Sequence, residues 1–152
     1  MRVGRSSRSR RQPPGHLFPS AVTLASSWDL DLARELAVAL GTEASQLGVD
    51  VVLGPGLNIK RNPLGGRNFE YFSEDPFISG RFAAAVVDGL QSVGVGACLK
   101  HDAVNNQEYY RFVVDAVVDE RTLHEIYLSG FEYAVERGKP WDGDGVVQLG
   151  RR

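Results

Sequence analysis

Apolar residues recur at two spacings along this chain, and the spacing alternates from one segment to the next. Residues 29–47 place Leu and Ala three and four positions apart, which predicts an amphipathic helix. Ser27 or Asp29 fits its N-cap, and Gly48 fits its C-terminal end. Residues 49–53 follow, and their short β-branched run predicts a buried strand. The apolar face of the helix comprises Leu32, Ala33, Leu36, Ala37, Leu40, Ala44 and Leu47.

The second helix and strand repeat this order. Asp75 and Pro76 supply an N-cap followed by proline at the first helical position. Residues 95–99 then predict a second buried strand, in which Cys98 is interpreted as an inert core thiol. The predicted apolar face of this helix comprises Phe77, Ile78, Phe82, Ala85, Val86, Leu90 and Val93.

A third strand and helix complete the pattern. Residues 113–118 are β-branched and predict a strand, and Asp119 caps a helix that extends to Gly138. Alternating helices and strands are typical of parallel strands joined by crossover helices, so the predicted fold class is α/β. The periodic apolar positions of the third helix are Leu123, Ile126, Tyr127, Phe131 and Ala134.

Two polar loops leave the predicted strands at their carboxyl ends, residues 54–75 and 100–111. Ligands bind at such ends in parallel α/β folds. Both loops mix cations, amides and carboxylates, a combination that suits a polyol because each hydroxyl donates and accepts a hydrogen bond. Arg67, Lys100 and His101 are the candidate donors of a sugar site.

Each candidate also has a structural interpretation. Arg67 can form an ion pair with Glu70 or Asp75, Lys100 can be an exposed cation at a strand end, and His101 can be a hydrogen-bonded, partly buried residue. For the polar residues of the second loop, support of the site and hydrogen bonding within the loop both stay open; these are Asn105, Asn106, Gln107 and Glu108. Three aromatic residues of the first loop are predicted to pack it: Phe69, Tyr71 and Phe72.

Composition narrows the function classes. The 152 residues are 43% hydrophobic and 24% charged with a net charge of -2, which fits a globular domain and argues against a nucleic-acid polycation. A single cysteine excludes an intrachain disulfide and a multi-cysteine zinc site. No apolar run approaches the ~20 residues of a membrane span, so no membrane partner is predicted.

The start of the chain differs from the rest. Five arginines occur in the first eleven residues without an acidic residue: Arg2, Arg5, Arg8, Arg10 and Arg11. Residues 1–16 are predicted to be a disordered arginine-rich start, and an arm that contacts RNA or DNA is the alternative. They lack the apolar core of a signal peptide, so a cytoplasmic location is expected.

A dinucleotide fingerprint is not supported. Gly54 and Gly56 follow a predicted strand, but Ile59 occupies the place of the third glycine and no helix is predicted to begin there.

Four motifs carry a resemblance to a known family. The strings LGPGLNIKRNPLGGRNFEYFSEDP and CLKHxAVNNQE resemble the N-terminal domain of family 3 glycoside hydrolases, the β-glucosidase family. FPSAVTLASSWD and DERTLHEIYLSGFE fit the same domain. The resemblance spans residues 17–141 and implies a (β/α)8 TIM-barrel-like fold, of which this chain is an incomplete segment. Residues 142–152 form an unassigned tail.

The resemblance also implies a function. The family hydrolyses β-linked glucosides or xylosides in carbohydrate metabolism without a metal or organic cofactor. Its sugar-binding residues map to Arg67, Lys100 and His101 of this chain. Two local departures from the family put sugar binding in question. Asp102 can pair with His101 or Lys100, and Tyr109-Tyr110 replaces smaller residues before Arg111.

No catalytic residue is assigned. A retaining glycosidase needs a nucleophile and an acid/base about 5–5.5 Å apart, and the family's S-D-W-like nucleophile motif is absent from the sequence. A complete barrel takes about 250 residues. We therefore expect a truncated or frameshifted fragment of a retaining β-glucosidase-like hydrolase that is inactive alone. Its exposed edges would meet the missing barrel half or another copy. The alternative is a non-catalytic remnant or weak sugar-binding module.

Overall fold

Three short parallel strands organise the part of the chain that the structure describes. The structure, a computed structural model, describes residues 15–143. The strands β1 (Val51–Val52), β2 (Gly96–Leu99) and β3 (Asp142–Gly143) pair in the order β1-β2-β3, and both pairs are parallel. The arginine-rich residues 1–14 and the tail from residue 144 lie outside the described residues. Parallel strands joined by helical crossovers confirm the predicted α/β class.

The helices connect and flank these strands. They are α1 (Ala21–Ala25), α2 (Leu30–Gln46), a 3-10 turn (Asn68–Glu70), α3 (Pro76–Ser92), α4 (Glu120–Thr122), a π-helix (Leu123–Leu128) and α5 (Ser129–Gly138). None of the helices within residues 15–143 is long and apolar enough to cross a membrane.

Helix α2 follows its prediction in extent, and most of its predicted apolar face is buried or partly buried. The Asp29 carboxylate accepts a hydrogen bond from the Leu32 backbone N–H at 2.9 Å, and Gly48 adopts a φ of 75° beyond the helix end. The predicted leucines Leu32 and Leu47 are 43% and 47% exposed. The fully buried residues are the predicted Ala33, Ala37 and Ala44 together with Gly41, which was not predicted. Small residues form the contact because the neighbouring helix lies close.

Close approach of α2 and α3 explains this stripe. A Cβ atom on Gly89 of α3 would lie 2.5 Å from the Arg34 carbonyl oxygen and 2.6 Å from the Ala37 Cβ atom. The backbones therefore meet at a distance that only glycine permits. Next to this contact, Phe82 and Leu90 of α3 pack in a core that also contains Leu99 and Phe131.

The first strand is shorter and more exposed than predicted. Residues 49–53 were expected to form a buried strand, but only Val51–Val52 pairs with β2. Val51 is 37% exposed and Leu53 is 71% exposed. The prediction of burial is wrong in the described structure because β1 is an edge strand that packs on one side only. Strand β2, by contrast, is buried at all four positions, Cys98 included, as predicted.

The predicted strand at 113–118 is absent. A turn occupies its start, where the Val113 and Val114 backbone N–H groups donate to the Tyr110 carbonyl at 2.8 and 2.9 Å. Val113 and Val117 are 81% and 83% exposed. β-branched residues favour a strand only where a partner backbone is present. Among the described residues, that edge of β2 pairs with Asp142–Gly143, a segment whose sequence gave no strand signal.

The third predicted helix forms with one irregular stretch. Asp119 caps it as predicted, since its carboxylate accepts from the Thr122 backbone N–H at 2.9 Å. The helix ends at Gly138, and Lys139 follows with a φ of 50°. Its middle, Leu123–Leu128, is a π-helix that buries Tyr127, a departure that the 3.6-residue spacing did not predict.

The contact at Gly89 gives a stability prediction. We expect Gly89→Ala to lower the free energy of unfolding by about 2 kcal/mol, because the added methyl group overpacks the α2–α3 interface. Gly54→Ala is the control, since a Cβ atom there would meet only the Val52 Cγ1 atom at 3.8 Å. Urea unfolding followed by circular dichroism measures both. Equal stability of the two variants would contradict this close packing.

Candidate functional site

Backbone pairing beyond the strand ends brings the two polar loops together. The Lys100 N–H donates to the Pro55 carbonyl at 3.2 Å, and the Leu57 N–H donates to the Lys100 carbonyl at 3.0 Å. Gly56 and Lys100 thereby form a parallel bridge just past β1 and β2. The loop after β1 and the loop after β2 therefore start side by side, as expected for carboxyl ends of neighbouring parallel strands.

Arg67 and Lys100 meet at one carboxylate. The Arg67 Nη2 atom donates to the Glu70 Oε2 atom at 3.0 Å, and its Nε atom donates to the other carboxylate oxygen. The Lys100 Nζ atom lies 3.6 Å from Glu70 Oε2. The ion pair of Arg67 with Glu70, the structural interpretation of this arginine, is thus present, whereas Asp75 caps α3. This ion pair also places the guanidinium beside Lys100.

His101 is fixed through both its ring and its backbone. Its Nδ1 atom lies 3.2 Å from the Tyr71 hydroxyl oxygen. Asn58 accepts from the His101 N–H at 2.7 Å and donates to the His101 and Ala103 carbonyls at 2.6 and 3.0 Å. Asn58 is only 1% exposed. The sequence analysis missed Asn58, an amide that lies between the apolar residues Leu57 and Ile59 in the loop after β1.

Some residues of the 105–108 segment support the site and others form hydrogen bonds elsewhere, so both interpretations left open apply in part. Asn105 donates to the Tyr71 hydroxyl and to Glu108, both at 3.0 Å, so it contacts the cluster. Glu108 Oε1 also lies 4.0 Å from Arg67 Nε. Asn106 instead donates to Tyr127 of the π-helix at 3.1 Å. The Gln107 side chain serves the loop itself, because it accepts from the Tyr109 N–H.

We call the group formed by Arg67, Glu70, Tyr71, Lys100, His101, Asn105 and Glu108 the strand-end cluster. A cavity of about 410 Å³ adjoins it and shares Glu108. The remaining lining residues are Asn62, Leu64, Gly65, Gly66, Gln107 and Tyr109.

The other aromatic and acidic predictions have mixed outcomes. Tyr71 and Phe72 are buried and pack the loop as predicted, but Phe69 is 61% exposed, so its prediction is wrong. The 3-10 turn Asn68–Glu70 explains this, because it is a single surface turn that buries none of its residues. Asp102 is exposed, and its pairing with His101 or Lys100 stays a prediction.

The cluster holds its carboxylates in the ionised form. Burial by itself would raise the pKa of Glu70, but the hydrogen bond from Arg67 and the nearby positive charges outweigh burial and lower it. Hydrogen bonds from Asn105 and Arg111 lower the pKa of Glu108. Burial raises the pKa of Tyr71 to about 12. The cluster thus offers cationic donors and anionic acceptors together, and its phenol keeps its proton at neutral pH.

A general acid needs a raised carboxyl pKa, and neither cluster glutamate has one. Within residues 15–143, no three His, Cys, Asp or Glu side chains are grouped so that they could hold a metal ion. The chemistry that the cluster itself supports is therefore hydrogen bonding to a neutral polar ligand.

Comparisons with known proteins identify the family to which this chain is similar. Residues 3–140 match the family model described as Glycosyl hydrolase family 3 N terminal domain. The match includes most of the arginine-rich start that the sequence analysis set apart.

Curated relatives are much longer than this chain. It is 58% identical over 128 residues to Thermostable beta-glucosidase B of Acetivibrio thermocellus, a match that covers 84% of this chain and 17% of that protein. It is 52% identical over 128 residues to an Exo-alpha-(1->6)-L-arabinopyranosidase of Bifidobacterium longum, with coverage of 84% and 17%. The chain thus spans 17% of the length of each of these relatives.

A solved structure matches the fold. Beta-glucosidase 3B from Thermotoga neapolitana in complex with glucose superposes with a TM-score of 0.83 at 49% identity. The match covers 93% of this chain and 21% of that one.

The lowered carboxyl pKa values predict acid sensitivity. Stability from Glu70 and Glu108 is fully present above their ordinary pKa of 4.5 and is lost as the pH falls through their lowered folded values. We expect the double variant Glu70→Gln/Glu108→Gln to be less stable at neutral pH and to lose less stability between about pH 6 and about pH 3. Denaturant unfolding at several pH values measures this.

Glu125→Gln is the matched control, because Glu125 forms an exposed ion pair with Arg121, and such pairs contribute little. An acid slope of the double variant equal to that of the unmodified chain would refute the proposed role of the two carboxylates.

Proposed function

The chain belongs to glycosyl hydrolase family 3, and we propose that it supplies the sugar-binding loops of a β-glucosidase-like hydrolase. In this proposal Arg67, Lys100 and His101 hold the hydroxyl groups of a β-linked glucoside or xyloside. The chain is a segment of the family's N-terminal domain, since it matches that domain and spans 17% of the relatives' length.

One observation carries the proposal: Arg67 and Lys100, from loops that follow different strands, meet at Glu70. A sugar ring carries hydroxyl groups on several neighbouring carbons, and each needs both a donor and an acceptor. Two fixed cations beside two ionised carboxylates supply both functions without a net charge that would favour an anion. The ion pair with Glu70 holds the guanidinium in place, so the structural role of Arg67 supports its binding role.

The topology supports a barrel origin for this segment. Strands β1, β2 and β3 are parallel and adjacent in chain order, and each crossover between them contains a helix. Two successive β/α units followed by a third parallel strand are what an interior segment of a (β/α)8 barrel contains. The exposure of Val51 on β1 and of Leu53 directly after it fits the same origin, because further barrel strands would cover that edge.

Binding and hydrolysis separate in this chain. The parent reaction requires an aspartate that attacks the anomeric carbon and an acid that protonates the leaving oxygen. The cluster carboxylates are held as ions by Arg67, Lys100, Asn105 and Arg111, so neither suits the acid role. The 152-residue chain is therefore proposed to bind sugar without turning it over, which joins the fragment interpretation to that of a weak sugar-binding module.

Sugar binding is tested by titration of the full chain with glucose and xylose, followed by ¹⁵N-edited NMR. We expect dissociation constants on the order of millimolar, as a few exposed hydrogen bonds allow. Arg67→Lys keeps the charge but loses the paired donors, and Lys100→Met loses the ammonium. Each is expected to weaken binding by about tenfold, roughly one strong hydrogen bond.

The control is Arg34→Met, which removes an ion pair with Asp88 between α2 and α3, outside the strand-end cluster. It should leave the titration unchanged. Glucose shifts that persist unaltered in both cluster variants, or that are absent from the unmodified chain, would refute the binding role.

Catalytic inactivity is tested with p-nitrophenyl β-glucoside. The full chain alone is expected to release no nitrophenol above the buffer rate, because it lacks a carboxyl group with a raised pKa in the cluster. Release that Lys100→Met abolishes would overturn this part of the proposal.

A further inference from the structure

We propose that Tyr71 is a positioning residue that fixes His101 as the neutral tautomer protonated on Nε2. The imidazole is then a hydrogen-bond donor at Nε2 and an acceptor at Nδ1. The tautomer follows from the contacts alone, whereas its use toward a sugar oxygen rests on the proposed function.

The first step fixes the orientation of the Asn105 amide. Its Nδ2 atom lies 3.0 Å from Glu108 Oε1, while Arg111 Nη1 donates to the second carboxylate oxygen at 3.1 Å. An ionised carboxylate can only accept hydrogen bonds. The Asn105 atom that faces it must therefore be the NH₂ group, because the amide oxygen in that place would oppose one acceptor to another.

The second step fixes the direction of the Tyr71 hydroxyl group. The same NH₂ group donates its other hydrogen to the Tyr71 hydroxyl oxygen at 3.0 Å. Tyr71 is 1% exposed, and burial raises its pKa to about 12, so the phenol remains protonated. Since Asn105 donates and cannot accept through nitrogen, the phenol proton goes to the other neighbour, the His101 Nδ1 atom at 3.2 Å.

The third step fixes the imidazole. An Nδ1 atom that accepts the phenol proton carries none of its own, so the ring proton lies on Nε2. Asn58 holds the His101 backbone through its N–H and carbonyl, so the Cα atom that carries the ring is fixed beside Tyr71. The two rings also meet edge to face, with centroids 6.1 Å apart. The chain Glu108–Asn105–Tyr71–His101 thus transmits the polarity of a carboxylate to the imidazole.

The tautomer determines whether His101 donates or accepts a hydrogen bond toward a ligand. With Nε2 as a donor, His101 complements the acceptor oxygens of Glu70 and Glu108 in the same cluster. If Nδ1 carried the proton, Nε2 would hold the lone pair, accept a hydrogen bond and select a different hydroxyl orientation.

The test is ¹⁵N NMR of the full chain labelled at its three histidines, with His101 assigned by its loss in His101→Gln. At neutral pH we expect a single His101 tautomer with Nε2 protonated. Its Nδ1 resonance should be displaced as a hydrogen-bond acceptor and coupled to the Tyr71 hydroxyl proton. This reading uses the unmodified protein, so it decides the proposal even if a variant fails to fold. A proton on Nδ1, or no displacement of Nδ1, overturns it.

Tyr71→Phe keeps the ring and removes the hydroxyl group. The Nδ1 resonance should then move by several parts per million toward that of a free unprotonated nitrogen, and glucose affinity should fall by about threefold, one neutral hydrogen bond. Tyr127→Phe is the matched control, since Tyr127 is a buried tyrosine whose hydroxyl contacts Asn106. It should change neither quantity. An Nδ1 resonance that does not move in Tyr71→Phe overturns the proposal.

The two proposals fail differently. If the tautomer and its response to Tyr71→Phe are as expected but no chain binds glucose, the positioning role stands and the proposed function fails. If glucose binds with the expected dependence on Arg67 while His101 carries its proton on Nδ1, the proposed function stands and the positioning role fails.

Discussion

The parallel pairing of β1 and β2 does not stop where the strands stop, and the strand-end cluster depends on this continuation. Backbone hydrogen bonds that join Lys100 to Pro55 and Leu57 keep the two loop segments in register beyond Leu99. Arg67 follows later on the first loop and Lys100 begins the second. Without that register, the side chains that meet at Glu70 would belong to two unrelated surface loops. The site is therefore a property of the sheet edge more than of either loop.

Charge within the cluster is balanced locally. Arg67 and Lys100 face Glu70, and Arg111 faces Glu108. The carboxylates have a structural role, because they hold the cations at fixed positions. The same ion pairs lower the pKa of the carboxylates. Under the proposed function, such a site recognises a neutral polar molecule through directed hydrogen bonds. Its polar groups then orient the bound molecule and do not attract an ion.

Local signals in the sequence were sufficient for the positions of the three long helical segments. Asp29, Asp75 and Asp119 each cap a helix as predicted, because a cap depends on neighbours within four residues. Strands depend on distant partners. The valines of 113–118 therefore predicted a strand that does not form, and the strand Asp142–Gly143 was not predicted. Likewise, the strand-end rule indicated Arg67, Lys100 and His101. It could not indicate Asn58 and Tyr71, whose contacts form only once two loops meet.

The π-helix that interrupts the last helix has a consequence for how this sequence tolerates change in length. A regular α-helix turns by about 100° per residue, and the wide turn at Leu123–Leu128 accommodates one residue more than that pitch allows. Deletion of a single residue there would convert the π-helix into a regular α-helix that continues into the helical residues on both sides. It would also rotate the start of the helix relative to α5 and carry Tyr127 away from Asn106. The wide turn thus keeps Tyr127 in hydrogen-bonding contact with Asn106 and ties the helix to the loop after β2.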